Sequence, residues 1–140
     1  MSKRDLEYFL FDIFIAIQKI KKVAQKFENS DELLHSFTDW DSVIREFEII
    51  GEATKTLIQN DFLSQDYQII VDFRNQIAHK YFGIEPEILW KIIHKDLPIF
   101  EQVILQKIQI IKPSLKKELI ESFKQDYNYL DFIIQALKSL

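Results

Sequence analysis

Apolar residues recur along most of this chain at alternating spacings of four and three, the pattern of helices that each bury one face against neighbours. Leu6, Leu10, Ile13, Ile17, Ile20, Ala24 and Phe27 trace the first stripe and predict a long helix, which Asn29, Ser30 and Asp31 interrupt; Asp31 to Phe37 adds at most one short turn. Thr38 and Asp41 then stand three apart before a new apolar run, in the manner of a capping box. A second long helix is expected from about Asp39 to Gln59, with Val43, Phe47, Ile50, Thr54 and Leu57 facing inward. Gly51 in its middle costs about 1 kcal/mol against alanine, and close approach of another helix backbone would compensate for it. After a connection over 60–65, Ile70, Phe73, Ile77 and Tyr81 continue the spacing until Gly83, so a third helix ends near Phe82. Glu85 and Pro86 suit the first turn of a fourth helix carrying Leu89, Ile92, Ile93 and Leu97. Pro98 forces a kink there, or a restart as a fifth helix through Phe100, Ile104 and Ile108. Beyond Pro113, Leu115, Leu119, Phe123, Leu130, Ile133 and Leu137 predict one C-terminal amphipathic helix. With no strand-like alternation and no repeat, the expected fold class is all-α, an antiparallel bundle of four to six helices: residues 1–112 form the bundle, and 113–140 pack on it or on a dimer.

Composition narrows the chemistry. A chain of 140 residues, 47% hydrophobic and 29% charged, is one globular domain. Its formal charge of −4 argues against the broad basic surface of sequence-independent nucleic-acid binders, leaving room for a small cationic site. The absence of cysteine removes thiolate nucleophiles, disulfides and zinc fingers, and suits a reducing cytoplasm. The apolar run from Leu6 to Ile20 is broken by Glu7, Asp12, Gln18 and Lys19 and precedes no small-residue cleavage site, so neither a signal peptide nor a membrane span is expected.

The densest chemistry lies between Arg74 and Tyr81, on the last turns of the third helix. Arg74 is a fixed cation with a planar fork that fits phosphate, and His79 can give or take a proton near neutral pH. Together they supply what cleavage of an RNA phosphodiester needs without a metal: charge stabilisation at phosphorus, and proton transfer at the 2′-hydroxyl or the leaving oxygen. Five residues apart, they lie about 140° apart on an ideal helix, whereas Arg74 and Tyr81 are nearly eclipsed. A loosened last turn, the length of arginine or convergence of two copies across a dimer interface would close the gap. Asn75 shares a face with His79 and could orient the imidazole. On chemistry alone, an ion-pair arginine, a helix-terminal histidine and a half-buried tyrosine are the plainer description of these residues.

Other candidates are weaker. Glu32 and His35 have the Glu-x-x-His spacing of di-iron bundles, but no second copy exists, so His35 reads as a solvent-facing residue near a helix end. His94 has no second histidine at ligand spacing and reads as structural. Glu46, Glu48 and Glu52 could line a polar groove or orient Arg74, with a solvated acidic face as the plainer reading. Lys19, Lys21, Lys22 and Lys26 form a modest basic strip that could guide RNA or serve only solubility.

The stretch Asp72-Phe-Arg-Asn-Gln-Ile-Ala-His-Lys-Tyr-Phe-Gly83, with Ile-Glu-Pro-Glu-Ile-Leu-Trp-Lys-Ile-Ile and Lys-Asp-Leu-Pro after it, resembles the HepT-like toxins of the HEPN ribonuclease superfamily. Their signature of arginine, four residues, histidine, one residue and tyrosine is met by Arg74, His79 and Tyr81, and Val43 to Ala53 resembles the family's second long helix. The resemblance covers roughly residues 4 to 110. It implies a HEPN-like bundle and a cytoplasmic, metal-independent endoribonuclease, the toxin of a type VII-like toxin–antitoxin pair, with no cofactor. It further implies that two copies of the motif meet at a homodimer interface, with Arg74 on the scissile phosphate of RNA and His79 as general acid or base. A minimal nucleotidyltransferase antitoxin would neutralise it by AMPylation, moving AMP from ATP to Tyr81. The charge and bulk added beside Arg74 would repel and displace RNA phosphate. The alternative function is a non-catalytic helical module that docks on and regulates a nucleotidyltransferase.

Overall fold

The protein, described by a computed structural model over residues 1–79 and 83–140, is an all-α bundle with no strand among the described residues. α1 (Lys3–Ala24) opens with a capping box in which Ser2 accepts from the Asp5 amide and Asp5 accepts from the Ser2 amide. Its expected stripe is buried from Leu6 to Ala24, and Phe27 packs at the margin. Asn29 caps the short α2 (Ser30–Leu34) by accepting from the Glu32 amide at 3.0 Å.

α3 (Phe37–Gln59) buries Val43, Phe47, Ile50, Thr54 and Leu57, as their spacing predicts. It starts earlier than the Thr38–Asp41 pair suggested: the cap is Ser36, whose hydroxyl donates to Asp39 at 2.6 Å. Asp39 is drawn there because Lys26 pairs with its other oxygen at 2.7 Å. At the far end Asp61 takes a left-handed φ of 57°, and the amide of Phe62 bonds back to the Leu57 carbonyl at 2.9 Å. That turn closes α3 without a glycine, using the tolerance of aspartate for this region. A short 3₁₀ turn (Gln65–Tyr67) leads into α4 (Gln68–His79). The expected helix end near Phe82, and Tyr81 itself, lie outside the described residues.

Glu85 and Pro86 begin α5 (Pro86–Lys91) as expected. At Pro98 the chain neither breaks nor restarts through a loop: a π-helical turn over Ile92–Asp96 joins α5 to α6 (Leu97–Gln109). Proline at 98 has no amide proton and crowds the carbonyl of residue 94, and the wider turn just before it absorbs both defects.

After Pro113 the predicted single helix is two, α7 (Pro113–Asp126) and α8 (Asp131–Lys138), separated by a turn over 127–130. Leu119, Phe123, Ile133 and Leu137 are buried in the same core cluster as α1, α3, α4 and α6. Arg4 on α1 also grips Glu118 on α7 through both guanidinium nitrogens, at 2.5 and 3.3 Å. Within the core α1 packs on α3 and α6, α3 on α4, and α2 on α5. No helix among the described residues is long and apolar enough to cross a membrane.

Candidate active site

The central contact of the site is Gly51 against Arg74. A Cβ added at Gly51 would lie 2.5 Å from the Arg74 Cγ and closer still to its Cβ, so only glycine lets α4 approach α3 here. That close approach offsets the cost of a glycine in the middle of α3. It also lays the arginine stem across the α3 backbone and fixes where the guanidinium emerges.

Neighbouring groups aim the guanidinium. Nη2 pairs with Glu52, the residue after Gly51, and Nη1 donates to Asn75 Oδ1 at 3.2 Å. Nε is buried and has no partner among the described residues. The Arg74 side chain retains 28% exposure, which it spends on a groove of about 570 Å³ lined also by Phe9 and Asp12 of α1 and by Arg45, Glu48, Ile49 and Glu52 of α3. Arg45 and Glu48 form the divide to a second hollow of about 520 Å³ beside Trp40, Asp41 and Ile77.

The expected site residues are thus only partly together. Arg74 faces the groove, but His79 stands exposed on the last described residue of α4 and is not part of the groove lining. Asn75 does not hold the imidazole; its recorded hydrogen bond is to Arg74. Of the three glutamates, Glu48 and Glu52 line the groove, so the polar-groove reading replaces the solvated face. Glu46 is buried with Lys19 at 3.9 Å, and burial, opposed by Lys19 and Arg45, raises its carboxyl above the ordinary range.

The lysine strip is largely consumed by the protein itself. Lys21 pairs with Glu101 at 3.1 Å and Lys26 with Asp39, while Lys22 lies over the Phe132 ring, 5.5 Å from its centre. His35, exposed at the end of α2 as expected, bonds through Nδ1 to the Asp31 carbonyl at 2.7 Å, and His94 does the same to the Trp90 carbonyl at 2.8 Å, which fits its structural reading. Among the described residues no three His, Asp or Glu side chains group as metal ligands, so Glu32 and His35 remain an isolated pair.

Reading by motif misses two charged groove residues. Asp12 appears in the sequence only as an interruption of an apolar run; burial raises its carboxyl to about 6. A carboxylate directly between the core residues Phe11 and Ile13 is the signal that could have marked it. Arg45, exposed at the junction of the two hollows, carries no comparable mark in the pattern.

This geometry can bind a phosphate at Arg74 and offers titratable groups near it, and comparison with known proteins gives it a context. The family model described as "Ribonuclease HepT-like" matches residues 13–108. The chain is 36% identical over 102 residues to "Putative RNase MJ1380" of Methanocaldococcus jannaschii, covering 70% of this chain and 92% of that one. It is also 36% identical over 100 residues to "Probable ribonuclease HepT" of Thermococcus cleftensis, covering 69% of this chain and 89% of that one. No solved structure matches. The matched span runs from α1 through nearly all of α6 and contains Arg74, Asn75 and His79, and the chain belongs to the HepT-like ribonuclease family.

Proposed function

We propose that this protein is a metal-independent endoribonuclease, the toxin of a toxin–antitoxin pair, which cleaves RNA with Arg74 and His79 and is silenced by AMP transfer to Tyr81. The observation that carries the reading is the seating of Arg74: a guanidinium wedged against Gly51, steered by Glu52 and Asn75, and open to a groove large enough for a nucleotide. Such an arginine meets the non-bridging oxygens of a phosphodiester bidentately, and the half-exposed Glu52 yields its place to them. The charge that develops on phosphorus during displacement is then met by a donor pair already in position.

His79 supplies proton transfer, and a homodimer brings the imidazole of one copy toward the arginine of the other. A nucleotidyltransferase antitoxin carrying ATP is the partner that fits the motif. AMP on Tyr81 would add a phosphate for Arg74 to bind and so exclude the substrate.

The test uses the whole chain and total RNA. Arg74→Ala and His79→Ala should each abolish cleavage with helical content unchanged, and a chelator should leave wild-type cleavage intact. Incubation with the partner and ATP should add one AMP to Tyr81, seen by mass spectrometry, and stop cleavage. Loss of cleavage in chelator would overturn the metal-free mechanism; a modified tyrosine in a protein that never cleaves RNA would favour the docking module instead.

A further inference from the structure

Resting on the ribonuclease reading above and adding a residue to it, the geometry points to Asp12 as the base that takes the proton from the attacking 2′-hydroxyl of an RNA strand held by Arg74. Phe11 and Ile13, both fully buried, lock this part of α1 into the core, so the position of Asp12 is set by packing. Its carboxylate lines the same groove as Arg74, with Arg45, Glu48 and Glu52 as the charged groups contributed by α3.

On another side stand Tyr8 and Tyr127, whose hydroxyls are raised by burial and then by the charge of Asp12, with Asp126 acting on both. None of the ion pairs among the described residues uses Asp12, whereas Glu52 pairs with Arg74, must be displaced before phosphate binds there, and stands half-exposed. Burial holds the Asp12 carboxyl near 6. Such a group is mostly ionised at neutral pH yet far more basic than an exposed carboxylate, which suits proton abstraction.

The step balances as follows. Asp12 accepts the 2′-hydroxyl proton as the 2′-oxygen bonds to phosphorus, and Arg74 holds the non-bridging oxygens. The bond from phosphorus to the 5′-oxygen breaks, and that oxygen takes a proton from the imidazolium of His79. The products are a 2′,3′-cyclic phosphate end and a 5′-hydroxyl end, and exchange with water resets both side chains.

Single-turnover cleavage of a labelled, mixed-sequence single-stranded RNA is measured across the acid-to-neutral range for wild type, Asp12→Asn, Asp12→Glu and Arg74→Ala. Wild-type rate should fall on the acid side with a midpoint near 6. Asp12→Asn should cleave about 10²- to 10⁴-fold more slowly and lose that acid limb, while binding the RNA as well as wild type. Asp12→Glu, which keeps a carboxylate, should retain the limb. Wild-type rates in Asp12→Asn, or a slowed variant whose acid limb is unchanged, would overturn the role of Asp12 and leave the nuclease reading standing. An inactive wild type, or an Arg74→Ala variant that cleaves normally, would strike that reading itself.

Discussion

Gly51→Ala adds one methyl group to α3 where the Arg74 stem already lies, so the new Cβ must push α4 outward or force the guanidinium off its line. The helix gains about 1 kcal/mol of propensity, but overpacking of this kind costs typically about 1–3 kcal/mol, so the expected net effect on stability is small and unfavourable. Its effect on cleavage should be larger, because a displacement of about 1 Å at a phosphate-binding group is worth roughly 10²-fold in rate. Urea unfolding alongside cleavage assays would check this, and an alanine variant of full activity would refute the account of Arg74's seating. Asp12 allows a separate stability prediction with a definite sign. Its folded value near 6 lies above the ordinary 3.8, so the fold favours the protonated form. That contribution is present below the unfolded value and is lost as pH rises from about 4 to about 6. At neutral pH Asp12→Asn should therefore be more stable than wild type by about 1–2 kcal/mol, allowing for partial exposure of the carboxylate. The advantage should vanish near pH 4, as paired thermal melts would show. At this scale the motif spacing pointed to Arg74, which the fold places on the groove, and to His79, which it leaves exposed outside the groove. Glu52 was legible only as one of three glutamates that could line a groove or orient Arg74, and the helix approach at Gly51 singles it out. Asp12 was not legible, because what distinguishes it is a burial that only the folded chain creates.

The long helices were legible as elements because a sustained stripe in one phase, running from Leu6 to Ala24 in α1 and from Val43 to Leu57 in α3, leaves few alternatives. Their ends were less so. The cap of α3 falls on Ser36 rather than Thr38, and its hydroxyl is tied to Asp39, whose other oxygen pairs with Lys26, contacts that no local spacing displays. Pro98 did not break its helix because the π turn ahead of it supplies the room that a proline ring demands. The tail misled for a different reason. Phe123 and Leu130 are seven apart, two full turns, so the apolar phase carries across the turn at 127–130 as though the helix continued. Once broken there, α8 folds back on α7, and both reach α1. Phe123 stacks on Phe11 with ring centres 5.3 Å apart and meets Tyr8 at 4.8 Å, fully inside the core. Phe123→Ala should therefore cost about 3–5 kcal/mol. Chemical denaturation would measure it, and a loss under about 1 kcal/mol would mean that the helices after Pro113 merely adhere to the bundle.

At the scale of the molecule, a net charge of −4 and a lysine strip largely paired with its own carboxylates and rings leave Arg74 and Arg45 as the cations that line the groove among the described residues. Binding that neutralises two phosphates on a single strand should depend on salt with a slope of about −1.4 in log K against log salt, rather than about −4 were the strip engaged as well. Anisotropy with His79→Ala protein, which binds without cutting, would read that slope. The exposed position of His79, away from the groove that holds Arg74, then sets how many copies a working site requires. If the imidazole comes from a second copy, Arg74→Ala and His79→Ala proteins are each inactive alone but complementary together. Random exchange makes half of the dimers mixed, and each mixed dimer has one site with both groups intact. Mixing equal amounts should therefore restore about a quarter of wild-type cleavage, by the symmetry of a two-fold interface. A mixture as inactive as its components, after exchange is verified by size and mass, would place both groups in one protomer. In that case α4 must deform beyond His79 to bring the imidazole round to the arginine, since five residues of regular helix hold them about 140° apart.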